Sequence, residues 1–219
     1  MKTIIALMIC TCLASAQPVG QTPQIYDIPF ASKGNVIELS VSNTSSYTAA
    51  VVKVAVTNAP AWLKFNSQTD TLQQVKSKEE QTASFTFAVD KTAEIKKEHT
   101  LSFSITDKTG QSWIKDITVR VAPPSTYELY QNYPNPYNPT TTIEYQLPGT
   151  STRYNVTLKV YDITGREIMN LVNEQQAAGY YQKTFNASRY ASGVYFYRLV
   201  ASDDQNKKHV FQKKMVLLK

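Results

Sequence analysis

The stretch YQNYPNPYNPTTTIEYQL, residues 130–147, sets Pro134, Pro136 and Pro139 close together and then runs straight into the alternating pattern of Thr140 to Leu147. Each proline fixes its own φ and pushes the residue before it, here Tyr133, Asn135 and Asn138, toward extended backbone. The segment is expected to be a poorly paired ribbon suited to lying along a sheet edge. It falls near the middle of 219 residues, so the fold turns on what flanks it.

Downstream, the period of two recurs in YNVTLKVYD (154–162), REIMNLVN (166–173), YYQKTFNA (180–187), SGVYFYRLVA (192–201) and HVFQKKMVLL (209–218). Turn signals at Pro148-Gly149, Thr164-Gly165, Ala178-Gly179 and Asp203-Asp204 separate these runs. Upstream, the same alternation appears in NVIELSVSN (35–43), AAVVKVAV (49–56), ASFTFAV (83–89), HTLSFSI (99–105) and WIKDITVRV (113–121). Alternation over such lengths marks strands with one buried face, and no long helical period occurs anywhere. The fold class is all-β, with two immunoglobulin-like β-sandwich domains in tandem after a signal peptide. The expected boundaries are residues 1–16 for the signal peptide, 17–122 for the first sandwich, 123–139 for a Pro-rich linker and leader, and 140–219 for the second sandwich. Within the linker, the adjacent Pro123 and Pro124 stiffen the chain and donate no ladder hydrogen bonds.

The opening MKTIIALMICTCLASAQ places a lone Lys2 before an apolar run and then Ala14-Ser15-Ala16. That is the layout of a secretory leader, with cleavage between Ala16 and Gln17. The run falls short of the roughly 20 residues that span a bilayer. Both cysteines, Cys10 and Cys12, lie in this leader. The mature chain thus has no disulfide and no cysteine nucleophile or thiolate ligand, and core burial alone must hold it.

The formal charge of +6 is unevenly placed. Residues 17–122 hold eleven Lys or Arg against ten Asp or Glu, a net of +1, and residues 127–219 hold eleven against seven, a net of +4. Most of the 14 tyrosines follow residue 126, while Trp62 and Trp113 precede it. The five arginines are scattered, which argues against nucleic acid as a partner.

Catalytic patterns are absent. No Gly-rich phosphate loop, HExxH, GxSxG or SxxK sequence occurs. His99 and His209 each begin a strand without a carboxylate-rich motif and read as surface strand residues. Glu79-Glu80 and Asp203-Asp204 sit among lysines and read as solvated turns, without the spacing of a calcium loop. No cofactor, metal or catalytic residue is expected. The triplets at Asn43, Asn155 and Asn186 match the N-glycosylation pattern, which matters only in a eukaryotic secretory route.

Five blocks, YPNPYNPTTTIEYQLP, VTLKVYDITGREIMNLVN, AAGYYQKTFNAS, ASGVYFYRL and the final KKMVLLK, follow one another in register. Together they resemble the type A C-terminal sorting domain of type IX secretion substrates from Bacteroidetes and related phyla. That domain is itself similar to the immunoglobulin-like domain of flagellar hook-capping proteins. Tyr137 stands where the family more often has phenylalanine, on a ring expected to be partly exposed. The first half resembles, more weakly, the immunoglobulin-like spacer modules that precede such domains. The resemblance implies passage through the periplasm, recognition by the type IX outer-membrane translocon, and cleavage by a sortase-like peptidase. The product is then attached to surface lipopolysaccharide or released. Carried over by position, the sorting signal comprises Pro134, Asn135, Pro136, Gly165, Arg166, Gly193, Tyr195, Arg198, Lys214, Met215, Val216 and Lys219.

A terminal strand that ends with the chain is suited to strand addition onto a receptor. Lys207, Lys208, Lys213, Lys214 and Lys219 read more simply as solvated edge charges than as steering groups. The expected function is a secreted or cell-surface, non-enzymatic protein whose second domain is the sorting signal and whose first is adhesive or structural cargo. One alternative is a subunit of an extracellular assembly, in which a free Gln17–Phe30 segment completes a neighbour's sheet. Another is a carbohydrate-binding module using Trp62 or Trp113, although both border apolar strands and read as core anchors.

Overall fold

Side chains that alternate in polarity alternate in burial when the backbone is extended, and the computed structural model shows this in strand after strand. It describes residues 24–219 in full and the backbone of residues 3–10; Ala16 and Gln17 lie outside the described residues. No described residue is helical. The chain divides into two compact units, Met1–Ala122 and Pro123–Lys219.

The first unit runs β1 (Thr3–Cys10), β2 (Ile25–Ile28), β3 (Asn35–Asn43), β4 (Ala49–Asn58), β5 (Leu63–Phe65), β6 (Thr69–Val75), β7 (Glu80–Val89), β8 (Glu98–Thr106) and β9 (Ser112–Val121). Two sheets form, ordered β1-β3-β7-β5 and β2-β9-β8-β4-β6. In β3 the core takes Ile37, Leu39 and Val41; in β7 it takes Ala83, Phe85, Phe87 and Val89; in β8 it takes Leu101, Phe103 and Ile105. Phe85 and Phe103 tilt against each other at 5.2 Å.

Among β2 to β9, three elements were not visible in the sequence pattern. In β6, TDTLQQV offers only Leu72 and Val75 to the core, too few to show a period. β5 is three residues long. Ile25–Ile28, expected to be free, pairs in parallel with Thr118–Val121 of its own chain, and the Asp27 carboxylate receives the Arg120 guanidinium at 2.8 Å. That segment is therefore already engaged at home.

The second unit runs β10 (Glu128–Leu129), β11 (Thr140–Leu147), β12 (Tyr154–Tyr161), β13 (Glu167–Gln176), β14 (Gly179–Asn186), β15 (Gly193–Ser202) and β16 (Lys208–Leu217). Its sheets are β10-β11-β14 and β13-β12-β15-β16, a seven-stranded sandwich of the immunoglobulin-like kind. The core of this unit shares no residue with that of the first. The structure also revises the role of residues 123–139. Leu129, Asn132 and Tyr137 are buried in the second unit, and β10 pairs with β11, so most of the expected linker is part of the second sandwich.

Tyrosine dominates this core, and each buried hydroxyl needs a partner. The Tyr145 hydroxyl donates to Gln176 Oε1 at 2.9 Å, that of Tyr154 to Pro148 O at 2.8 Å, and that of Tyr197 to Tyr130 O at 2.8 Å. Tyr195, on β15, donates to Ala191 O four residues upstream at 2.7 Å, the arrangement called a tyrosine corner. Tyr137 is the exception: it is only 2% exposed and its hydroxyl has no hydrogen-bond partner. The expectation of a partly exposed ring fails because the proline ribbon carries Tyr137 inward against Phe185, ring centres 6.2 Å apart. Burial pushes its phenol pKa far above the ordinary range.

A first prediction arises here. Leaving a buried hydroxyl unpaired costs about 1–3 kcal/mol. Tyr137→Phe is therefore expected to stabilise the second unit by roughly 1 kcal/mol, a rise in melting temperature of about 4–8 °C for a domain of this size. A calorimetric scan that shows no rise means the hydroxyl is satisfied in solution.

Candidate functional site: the terminal strand and its proline ribbon

β16 ends the chain at the edge of its sheet, with one flank on β15 from Gly193↔Leu217 to Ser202↔Lys208. The other flank is met by the ribbon of residues 131–137. Tyr137 N donates to Val216 O at 3.0 Å, and Leu218 N donates to Tyr137 O at 3.0 Å. Val216 N donates to Asn135 Oδ1 at 3.0 Å, and Gln131 Nε2 donates to Lys214 O at 2.8 Å. The ribbon thus lies along a strand edge, as its prolines imply. A consequence is that the end of β16 is already clasped, so it is not an open edge awaiting a receptor strand.

What holds the ribbon is a buried polar knot. Asn132, 2% exposed, donates through Nδ2 to Pro134 O at 3.0 Å and to Thr141 Oγ1 at 2.9 Å. Thr141 Oγ1 donates in turn to Pro134 O at 2.8 Å. The Asn132 amide N–H reaches the Tyr197 hydroxyl at 2.9 Å, and that hydroxyl continues to Tyr130 O. Asn132, Thr141 and Gln131 were not singled out from sequence. The signal available was a short amide residue fixed between aromatic and proline positions, where a side chain must replace missing ladder bonds.

With the ribbon fixed, Tyr133 (82% exposed), Pro134, Asn135 and Pro136 face outward beside exposed Lys214. Met215 is buried and serves the core. Lys219 ties the last residue down, its N–H donating to Ser192 Oγ at 3.0 Å and its Nζ to Ser188 O at 2.7 Å.

The other proposed signal residues are placed by strand register. Tyr161 opposes Phe196, and Gly193 opposes Leu217. The end of β12, the start of β15 and the end of β16 therefore share one end of the sheet. Gly165, Arg166, Gly193, Tyr195, Val216 and Lys219 sit toward that end, and the ribbon crosses it at Val216–Leu218. Gly165 takes φ +81, which closes the β12–β13 hairpin and which side-chain-bearing residues resist. Asp162 Oδ1 accepts from Thr164 N and Oγ1 and from Arg166 N, and Oδ2 accepts from Arg166 Nε at 3.0 Å. The Thr164 hydroxyl leads the donors that lower the pKa of this carboxyl. The same Asp device caps the turns at Asp107 and Asp203, so Asp203 is a turn cap. Arg198, farther along β15, donates to Gln212 Oε1 and lies 5.0 Å from the Tyr161 ring centre.

The histidines are less superficial than their sequence context implies. His99 packs edge-on against Trp62 at 5.1 Å, with Glu94 Oε2 3.5 Å from its Nε2. His209 stacks on Tyr127 at 3.9 Å, near Asp203. Flanking aromatic rings cover each of them in part, and nothing in the linear spacing announced those rings. Trp62 is a core residue and Trp113 is partly buried against the core. Among the described residues, no three carboxylate, histidine or cysteine side chains converge as a metal site. No described helix is long and apolar enough to cross a membrane.

No curated protein matches the chain. Among solved structures, dimeric latent PorU from Porphyromonas gingivalis is 16% identical over 92% of this chain and 19% of its own, with a TM-score of 0.35. The CupB2 chaperone of Pseudomonas aeruginosa is 11% identical over 88% of this chain and 97% of its own, with a TM-score of 0.29. The calcium-binding domain pair CBD12 of CALX1.1 is 9% identical over 80% of this chain and 76% of its own, at 0.37. Scores this low carry no argument beyond the β-rich architecture already described. The family comparison is of a different kind. Residues 131–216, from the ribbon to the clasped end of β16, match the model of the secretion system C-terminal sorting domain. A domain of this kind indicates secretion through the type IX system, and the second unit of the chain belongs to that family.

Proposed function

We propose that the second unit is an address read on its folded surface, and that the first unit is adhesive or structural cargo without catalytic activity. The observation that carries this reading is the ribbon clasped to β16. It places Tyr133, Pro134, Asn135 and Pro136 next to Lys214 on one exposed strip, inside the stretch that matches the sorting family. Segments far apart in sequence thereby form one contiguous surface. In this reading, Met1–Ala16 directs the chain to the periplasm and is removed, both sandwiches fold there, and the outer-membrane translocon engages the strip. A sortase-like peptidase then separates the units, and the cargo is attached to surface lipopolysaccharide or released.

The test is a surface substitution in the full chain. Tyr133→Ala removes an exposed ring from the strip, and Lys214→Glu reverses an exposed charge on it. Together they are expected to lower the exported fraction roughly tenfold, equivalent to about 1.4 kcal/mol of lost recognition, while circular dichroism and melting remain near wild type. Wild-type export by the folded double variant sinks the proposal. Intact-mass measurement of surface material tests the second half: a retained second unit points to an assembly subunit instead.

A further inference from the structure

Removal of the leader has a consequence for the first unit, and the inference below rests on that removal. β1 lies within residues 1–16 and pairs in parallel with β3 along Val36–Asn43. Cleavage after Ala16 takes β1 away and leaves β3 as the outer strand of its sheet, nine residues long, against three for β5 at the far side.

The open groups on that edge can be named. Asn43 N donates to Glu79 O, and Asn43 O accepts from Lys78 N, so the backbone of Asn43 faces β7. Backbone direction alternates along a strand, so Ile37, Leu39 and Val41 also face β7. Val36, Glu38, Ser40 and Ser42 therefore point their N–H and C=O groups outward. Exposed edges are ordinarily blunted by lysine, proline or a bulge. β3 contains neither residue, and its pairing with β7 runs without a register shift. That it accepts an added strand along most of its length is shown by β1 itself.

We propose that the mature β3 edge pairs antiparallel with the β3 edge of a second copy of this chain, about a two-fold axis at Leu39. The register is self-complementary. It sets Val36 opposite Ser42, Ile37 opposite Val41 and Glu38 opposite Ser40 across the two copies. The apolar Ile37, Leu39 and Val41 of both chains stay on the core face, and Glu38 never meets its own kind. Leu39, whose backbone faces β7, falls on the axis as the non-hydrogen-bonded pair that an antiparallel ladder requires. A two-fold contact of this sort uses the same patch on both partners and closes at two copies.

Sedimentation equilibrium of the chain Gln17–Lys219, made without the leader, tests this over a concentration series. A reversible dimer is expected. Ser40→Pro deletes one outward N–H and no bond to β7, and is expected to yield a monomer. Should that variant misfold, Ser40→Lys and Ser40→Glu decide the matter at the surface. Lysine faces the partner's Glu38 and tightens the dimer, glutamate weakens it, and the two dissociation constants differ roughly tenfold. A monomer at every concentration, or a dimer indifferent to these substitutions, overturns the proposal. So does hydrogen-exchange protection of the Val36, Glu38, Ser40 and Ser42 amides in a monomer, which assigns the edge to residues of the same chain. An exported protein whose mass begins at Met1 refutes leader removal, and leaves the result on the leaderless chain standing by itself.

Discussion

Removing Val216–Lys219 is expected to abolish export and to lower the stability of the second unit by about 4 kcal/mol. Leu217 is fully buried, and truncating a buried leucine costs about 2–5 kcal/mol through lost burial and the cavity left behind. The same deletion strips Asn135 and Tyr137 of their partners on β16, which are Val216 and Leu218. Calorimetry on the full chain should then show the transition of the first unit unmoved and that of the second shifted down, because their cores are separate. Cell fractionation reads the other half of the prediction. Lys219→Ala serves as the control: it removes an exposed tie to Ser188 O but leaves Leu217 in place, so its effect on melting should stay within about 0.5 kcal/mol. Full export of the truncated chain contradicts the assignment of β16 to the address.

The second large effect is expected at Asn132, a residue that makes no outward contact. Asn132→Ala deletes two donated hydrogen bonds inside a buried site and leaves Pro134 O with Thr141 as its remaining side-chain partner. The cost is about 3 kcal/mol, from bonds worth about 1 kcal/mol each plus the desolvation of groups left partly unpaired. The ribbon should detach while the β-sheets persist. Amide exchange at Val216 and Leu218, whose partners are ribbon atoms, reports that detachment directly. Export is expected to fall with it, even though every exposed residue of the strip is unchanged. If Asn132→Ala exports normally with exposed Val216 and Leu218 amides, the machinery reads sequence and not the assembled surface.

The strands were legible where one face is buried and the other wet. Asn35–Asn43 and Thr140–Leu147 fall where the alternation places them, because Ile37, Leu39 and Val41 in the one and Ile143, Tyr145 and Leu147 in the other turn inward at every second position. β6 was hidden for the opposite reason, with only Leu72 and Val75 turned inward. β10 escaped because two residues carry no period. At the site, the prolines announced an extended ribbon, since φ restriction is local. Its landing place was not announced, because the bonds from Asn135 to Val216 and from Gln131 to Lys214 link positions about eighty residues apart. Tyr195 illustrates a further confusion. It lies in a signature block, yet its hydroxyl braces the turn before β15, so its place in the block reflects the architecture of the sandwich as much as recognition.

The clasp joins residue 135 to residue 216. Shortening the chain before Val216 takes that partner away while every proline of the ribbon stays in place. Seating the ribbon is therefore a task shared between the two ends of the second unit, and neither stretch fixes its position from its own letters alone.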